Sequence, residues 1–318
     1  MSMSRFARIS LAAGAAAALS LSACSSGDPA SADEISSLSF GVVPSDSAES
    51  TYDNWGLFIE LAEEELGVEI ELFEATANPA VIESAIAGNL DMVYQGPMGT
   101  MLMQDSGAPL RTVGNVNYGP QEPPGETIGV VLADSHYTDL SDLVGEDVCF
   151  NNPASTTGYL YPANGFLQLG IDPETDINAI FVGDHQSVVR TVFEGECAAG
   201  FSFRQMVEET VPKQNDDIEA EDFRRIWEAE TIGGGITIST ELPEEMQERL
   251  SDFLLSTNGD NIPEGYECPE RLERTHADGT PYCGLFSTFW GMSEVDGDYW
   301  DPAREICAAT EAPACQGS

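Results

Sequence analysis

From residue 37 onward the chain alternates between strand-like and helix-like spacing of its apolar positions. Ser37 to Val43 (SLSFGVV) is a short β-rich run closed by Pro44. Thr51 to Leu66 places Trp55, Phe58, Ile59 and Ala62 on one helical face, with Gly67 as a stop. Val68 to Phe73 alternates like a strand, Pro79 to Ala87 reads as a helix, and Asp91 to Tyr94 as a strand ending in Gln95-Gly96-Pro97. Met98 to Gln104 starts another helix. Strand, helix, strand, helix, strand in this order predicts a parallel α/β sheet. Its strand ends near Pro44, Thr76 to Asn78 and Tyr94 to Gly96 should border a ligand crevice.

The theme then repeats. Gly125 to Ala133 predicts an apolar strand, Leu140 to Gly145 a helical turn and Asp147 to Phe150 a strand. Ser155-Thr156-Thr157-Gly158 opens a helix over Tyr159 to Leu169 that stops at Gly170. Ala179 to Val182 is a strand ending in Gly183-Asp184-His185, followed by a helix over Ser187 to Glu194 and a strand over Ala198 to Phe201. Arg225 to Trp227 opens the return, Gly233-Gly234-Gly235 bends, and Ile236 to Ser239 is again a strand. Pro243 to Ser256 has proline at its first helical position and two glutamates in its first turn. The predicted fold class is therefore α/β with two lobes, a hinge and an interlobe cleft. Residues 37–133 plus 236–318 would form the first lobe and 134–235 the second, with crossovers at 133–137 and 231–235. Beyond residue 257 the pattern dissolves into Gly, Pro, Cys and aromatic residues, expected to form an irregular, disulfide-tied cap on the first lobe.

The first 23 residues carry Arg5 and Arg8, then an uncharged run from Ile9 to Leu21 that is too short and alanine-rich for a membrane span and fits a signal-peptide core. Leu21-Ser22-Ala23-Cys24 resembles the bacterial lipoprotein cleavage box, which would make Cys24 a lipidated first residue; a plain secretory signal with a spare cysteine is the alternative. Residues 24–36 would then be a flexible tether, and the body an extracytoplasmic domain anchored to the outer face of the membrane. Six further cysteines remain in an exported chain, which argues for disulfides. Short loops, and the joining of two strands in the middle of the chain, favour Cys149–Cys197, Cys268–Cys283 and Cys307–Cys315. The spacings contain no C-x-x-C and no histidine pair, which speaks against zinc. The formal net charge is −43, and lysine occurs once, at Lys213. No basic stripe exists to neutralise phosphates, which excludes nucleic acid as a partner. An acidic, lysine-poor coat suits a saline or alkaline habitat, in which counterions screen self-repulsion.

The chemistry concentrates at the segment after the strand at 147–150. Backbone amides of a first helical turn lack intrahelical partners and carry partial positive charge. Ser155, Thr156 and Thr157 add three hydroxyls there, and Gly158 admits close approach of a ligand. An ordinary helix cap is the competing reading. His185, at a strand end, is either a second ligand contact or a satisfied interface group. Ser155, His185 and Asp184 could also be cast as a hydrolase relay. Against that, Asp184 and His185 are adjacent, which rarely lets side chains face each other, and no Gly-x-Ser-x-Gly elbow is present. No catalytic residue is assigned.

Phe40-Gly41-Val42-Val43-Pro44, Gly88-Asn89-Leu90-Asp91-Met92-Val93, Gly96-Pro97, Pro153 to Tyr159 and Gly183-Asp184-His185 together resemble the phosphate/phosphite/phosphonate-binding proteins of ABC transporters, over about residues 37 to 256. That resemblance implies the type II periplasmic-binding fold, a phosphorus oxyanion held by Ser155, Thr156, Thr157, Gly158 and His185, and delivery to a membrane permease; a monomer without cofactor or metal is expected. It also implies departures. Arg204 falls where aminophosphonate binders carry an acidic residue, and Gly235 where they carry a second. Asn78 and Gln95 fall where they carry tyrosines. Tyr94 and Tyr52 lie at expected cleft ends, where core packing explains them as well. A guanidinium in place of a carboxylate would disfavour an ammonium-bearing ligand, although Arg204 could equally pair with an acidic neighbour. Phosphate, phosphite or an acid-bearing phosphonate fits better, with a sulfonate or thiamine precursor as alternatives on the same fold.

Overall fold

The computed structural model describes residues 35–42, 51–75, 78–119, 125–276, 279–286 and 289–315. The predicted signal segment, Cys24, most of the tether and Pro44 lie outside these residues. Among the described residues no helix is long and apolar enough to cross a membrane.

The first part of the chain runs β1 (Ser37–Val42), α1 (Thr51–Leu66), β2 (Glu69–Glu74), α2 (Asn78–Ile86), β3 (Met92–Gln95), α3 (Pro97–Asp105) and β4 (Leu110–Asn117). β2 and β3 flank β1 in parallel. The predicted face of α1 is buried, with Trp55 and Phe58 packing against Phe40 of β1 at ring-centroid distances of 5.1 and 5.4 Å. β4 has no clean alternation because its last five residues, Val113 to Asn117, are all buried, as in strands covered on both faces.

The chain then builds β5 (Glu126–Leu132), β6 (Asp147–Phe150), α4 (Tyr161–Gln168), β7 (Asn178–Phe181), α5 (His185–Phe193), β8 (Ala199–Phe203), α6 (Val211–Gln214) and β9 (Phe223–Glu230). It returns through β10 (Gly235–Ser239) and α7 (Glu244–Ser256), and ends in β11 (Glu273–Thr275), β12 (Pro281–Cys283), β13 (Gly291–Ser293) and α8 (Asp301–Thr310). Two mixed sheets result, ordered β13-β4-β10-β3-β1-β2 and β7-β6-β8-β5-β9, plus the β11-β12 hairpin. In the second sheet β6 runs parallel to β7 and β8, and β5 antiparallel to β8 and β9.

β5 therefore belongs to the second sheet, whereas the sequence pattern assigns residues 125–133 to the first lobe. The first crossing between sheets lies between Asn117 and Glu126 rather than at 133–137, and the second between Glu230 and Gly235. A strand's own pattern does not say which sheet it joins; only its partners do. At the described ends of the two crossings, Thr231 N–H donates to Gly125 O (3.0 Å) and Val116 N–H to Gly234 O (2.9 Å). Both leave the carboxyl ends of strands, so the ends of β1, β3 and β4 and those of β6, β8 and β9 gather beside the crossings. This is where an open α/β sheet binds ligands.

All three disulfides join the expected pairs, Cys149–Cys197, Cys268–Cys283 and Cys307–Cys315. The C-terminal cap departs from expectation. Leu272, Cys283, Leu285, Phe286 and Met292 do bury against the first sheet's core, and β13 extends that sheet. Residues 299–315, however, join a different apolar cluster with Leu160, Ala163 and Phe166 of the second unit and Met98 and Met101 of α3.

Candidate functional site

The loop after β6 carries the hydroxyl-rich segment. Ser155 leaves the strand in extended conformation, and its Oγ accepts the Gly158 amide at 3.0 Å, so the capping reading of this serine is correct as far as it goes. One π-helical turn, Thr156–Leu160, follows and leads directly into α4. Gly158 is forced by its neighbours: a Cβ there would sit 2.0 Å from Asn151 Oδ1 and 3.0 Å from His185 Cε1. The Thr157 carbonyl accepts the Thr127 hydroxyl at 2.6 Å, which fixes the turn to β5.

Thr156 makes the decisive contact. Its Oγ1 accepts the backbone amide of Met98 at 2.9 Å in a fully buried hydrogen bond. Met98 stands in the first turn of α3, behind Gly96 and Pro97, on the other sheet's side of the crossings. Two helix starts, one following β3 and one following β6, thus meet head to head at one hydroxyl. Each presents amides without intrahelical partners and a partial positive charge. Because Thr156 accepts from Met98, its own hydroxyl proton remains available to a third group.

His185 opens α5 and is 7% exposed. Its Nε2 lies 3.0 Å from Asn151 Nδ2 and its Nδ1 2.9 Å from Ser202 Oγ. A carboxamide NH2 only donates, so Nε2 is the acceptor and the ring proton sits on Nδ1, donated to Ser202. Burial lowers its pKa to about 4, partly offset by the neighbouring Asp184 carboxylate, so the ring is neutral at physiological pH. Asp184 itself caps α5, accepting from the amide and hydroxyl of Ser187 at 2.7 and 2.8 Å. Ser155, His185 and Asp184 thus each face a different partner, and no nucleophile–base–acid relay is assembled.

The other expected residues divide. Gln95 ends β3, is 2% exposed, and its Nε2 has no hydrogen-bond partner among the described residues. Tyr94 packs its ring 5.1 Å from Trp55 and 5.9 Å from Phe289, inside an aromatic cluster at the same end of the sheet. Asn78 begins α2, and its side chain lies outside the described residues. Tyr52 is half exposed at the start of α1. Gly235 pairs with Gln95 across the β10–β3 ladder. Arg204 is committed elsewhere: Nε lies 3.0 Å from Glu126 and Nη1 3.3 Å from Glu208, both of which also hold Arg225.

Several residues of the site have no signal in the sequence. Asn151, Ser202, Thr127 and the Met98 amide come together only through tertiary contacts. Gln205 is one residue past Arg204 and turns inward instead of outward: it is 8% exposed, and its Oε1 has no partner among the described residues. Asn151 Oδ1 is likewise unpartnered. Buried polar groups in this state point to something further that they would bond. Among the described residues no group of three or more His, Cys, Asp or Glu side chains could hold a metal.

Hydroxyl and amide groups from both sides of the crossings thus meet at Thr156. The sequence matches the family described as the periplasmic substrate-binding protein of the phosphonate ABC transporter over residues 40–278, and the chain belongs to that family, whose members bind and deliver substrate rather than transform it. It is 28% identical to the "Phosphate-import protein PhnD" of Mycolicibacterium smegmatis, covering 96% of this chain and 97% of that one. Among solved structures, the binding component of an ABC phosphonate transporter from Pseudomonas aeruginosa superimposes with a TM-score of 0.71 at 17% identity, covering 87% of each chain. PhnD1 of Prochlorococcus marinus in complex with methylphosphonate also gives 0.71, at 15% identity over 87% of this chain and 98% of that one.

Proposed function

We propose that this chain captures a small tetrahedral phosphorus oxyanion without an ammonium group (phosphate, phosphite or a simple alkylphosphonate) and hands it to an ABC permease. The observation that carries the reading is the meeting of two helix starts at Thr156, where amides and hydroxyls from both sheets can point at one anion. In this reading Ser155, Thr156, Thr157 and Gly158 form the cradle, His185 and Asn151 brace it, and Gln95 and Gln205 offer their unpartnered carboxamide atoms. The two sheets act as lobes that close over the ligand, with residues 231–234 and the connection from β4 to β5 as the hinge. Near the cradle, Arg204 is neutralised by carboxylates and Gln205 is uncharged, so neither an ammonium nor a second acid group on the ligand would find a counter-ion there. The mycobacterial relative's name, a phosphate importer, agrees with this preference.

Calorimetric titration of the mature chain with phosphate, phosphite, methylphosphonate, 2-aminoethylphosphonate, sulfate and an alkanesulfonate tests the reading. Phosphate or phosphite should bind tightest. Preference for the sulfonate, or for the aminophosphonate, would overturn it. Cys24 is proposed as the lipid anchor, holding a monomer at the outer face of the membrane. Cys24→Ser should then release the protein into the medium, and a variant that stays with the membrane would refute the anchor.

A further inference from the structure

The segment 299–315 lies beyond residue 278, where the family match ends, yet it packs against α3 and α4, whose starts form the proposed cradle. Tyr299 accepts the Gly233 amide at 2.9 Å, which ties the segment to the second crossing. Trp300 is wholly buried in the apolar cluster that contains Met98 and Met101 of α3 and Leu160 and Ala163 of the second unit. α8 packs against both α3 and α4, and Ala303 and Ile306 are its buried positions. At the far end of α3, Arg304 grips both carboxylate oxygens of Asp105, with Nε 3.0 Å and Nη2 2.7 Å away. At the near end, Sγ of Cys315, fixed by its disulfide to Cys307, lies 4.0 Å from Sδ of Met98. Met98 is the residue whose amide bonds Thr156.

α3 is therefore held at both ends by a segment whose other face is seated on α4. α3 follows a strand of the first sheet and α4 a strand of the second, so the two sheets cannot part on this side until the segment releases one of them. We propose that residues 299–315 form a strap that fixes α3 against α4 and so sets the separation of the two helix starts, with Arg304 as a positioning residue and the Cys307–Cys315 bridge as its clasp. The proposal rests on the oxyanion reading only for its effect on ligand release; the mechanical coupling stands without a ligand. The bidentate geometry matters, because a lysine offers a point charge where arginine offers a planar fork.

The test uses the full mature chain. Hydrogen exchange is measured on the ligand-free protein, and release of inorganic phosphate is followed by stopped-flow tryptophan fluorescence. Arg304→Ala should speed exchange of the amides of Met98 to Thr100 and Thr156 to Leu160, while those of α1 keep their protection. Phosphate koff should rise about threefold, in line with the modest strength of a partly exposed pair, with kon unchanged. Arg304→Lys should recover part of the effect. Cys307→Ser with Cys315→Ser should act in the same direction more strongly. If that double variant fails to fold, Arg304→Ala, a partly exposed substitution, still decides. Unchanged exchange at both helix starts in Arg304→Ala would overturn the strap. Faster exchange in a protein that does not bind phosphate would uphold the strap and sink the oxyanion reading, so the two can fail separately.

Discussion

Replacing Thr156 by valine separates the structural from the ligand-binding role of its hydroxyl. Valine keeps the volume of a side chain that is 5% exposed, so packing changes little. Two interactions go. The Met98 amide loses its acceptor at 2.9 Å and is left buried without a partner, which costs about 1–3 kcal/mol of stability. The proposed oxyanion ligand loses a hydroxyl donor, and a hydrogen bond to a charged group contributes about 1.5–3 kcal/mol. At 1.4 kcal/mol per tenfold, the second loss alone raises the phosphate Kd by roughly 10- to 100-fold. Isothermal titration gives the affinity and calorimetric melting the stability, with Thr156→Ser as the control that keeps the hydroxyl and should stay within about threefold of the parent. A Thr156→Val protein with the parent's phosphate affinity would refute the reasoning, because it would remove the one residue at which both helix starts meet. A fall in melting temperature without a change in Kd would show the contact to be structural only.

Three further outcomes are expected. Gly158→Ala places a Cβ 2.0 Å from Asn151 Oδ1 and should cost about 1–3 kcal/mol by overpacking. Asn151→Ala should recover part of that stability in the double variant, and denaturant titration would show additivity if the two positions were unrelated. His185 has a folded pKa of about 4 against 6.5 for the free side chain. The unfolded chain therefore takes up a proton that the fold refuses as pH drops below 6.5; stability is full above that value and lost towards pH 4, by on the order of 3 kcal/mol. His185→Gln should flatten this part of the pH–stability curve, and an unaltered slope would reassign it to carboxylates. Gln205→Glu should move preference towards 2-aminoethylphosphonate by tenfold or more relative to phosphate, about 1.4 kcal/mol, whereas Arg204→Ala should leave the ligand ranking as it is. Competition titration decides, and a ranking altered by Arg204 but not by Gln205 would reverse the assignment of the two side chains.

What could be read in the chain was local. The face of α1 is written in the spacing of Trp55, Phe58, Ile59 and Ala62, and the stop at Gly170 is a glycine with φ of 76°, a conformation that other residues avoid. Short separations also made two of the cysteine pairs legible. What could not be read depends on partners far away in sequence. β4 has no readable signal because its second half is buried throughout and an extra residue, Val113, interrupts its pairing with β10 between Gly114 and Thr112. β5 was visible as a strand but not as a member of the second sheet. The Met98–Thr156 bond spans 58 residues, and the amide it uses belongs to a backbone that any residue would supply. Arg204 and Gln205 differ by one position at a turn, and only the structure shows which side chain faces in.

An anion ligand, as proposed for this chain of formal charge −43, poses an electrostatic question, and the donors of the proposed cradle suggest the answer. Arginines near the second sheet's ligand end do not supply the attraction: Arg204 and Arg225 are shared among Glu126, Glu208 and Glu228. His185 does not supply it either, because burial keeps it neutral. What remains for the proposed ligand are the two helix starts and the hydroxyls beside them, which are dipoles rather than charges. At physiological ionic strength the screening length is about 8 Å, so carboxylates on the outer surface contribute little between closed sheets, while groups touching the ligand are screened far less. Dipoles of this kind do not titrate and do not collapse onto neighbouring carboxylates as a lysine or a free arginine would on so acidic a surface. In a chain with this composition, an oxyanion site built from backbone amides keeps its polarity where one built from cations would be neutralised by its own surroundings.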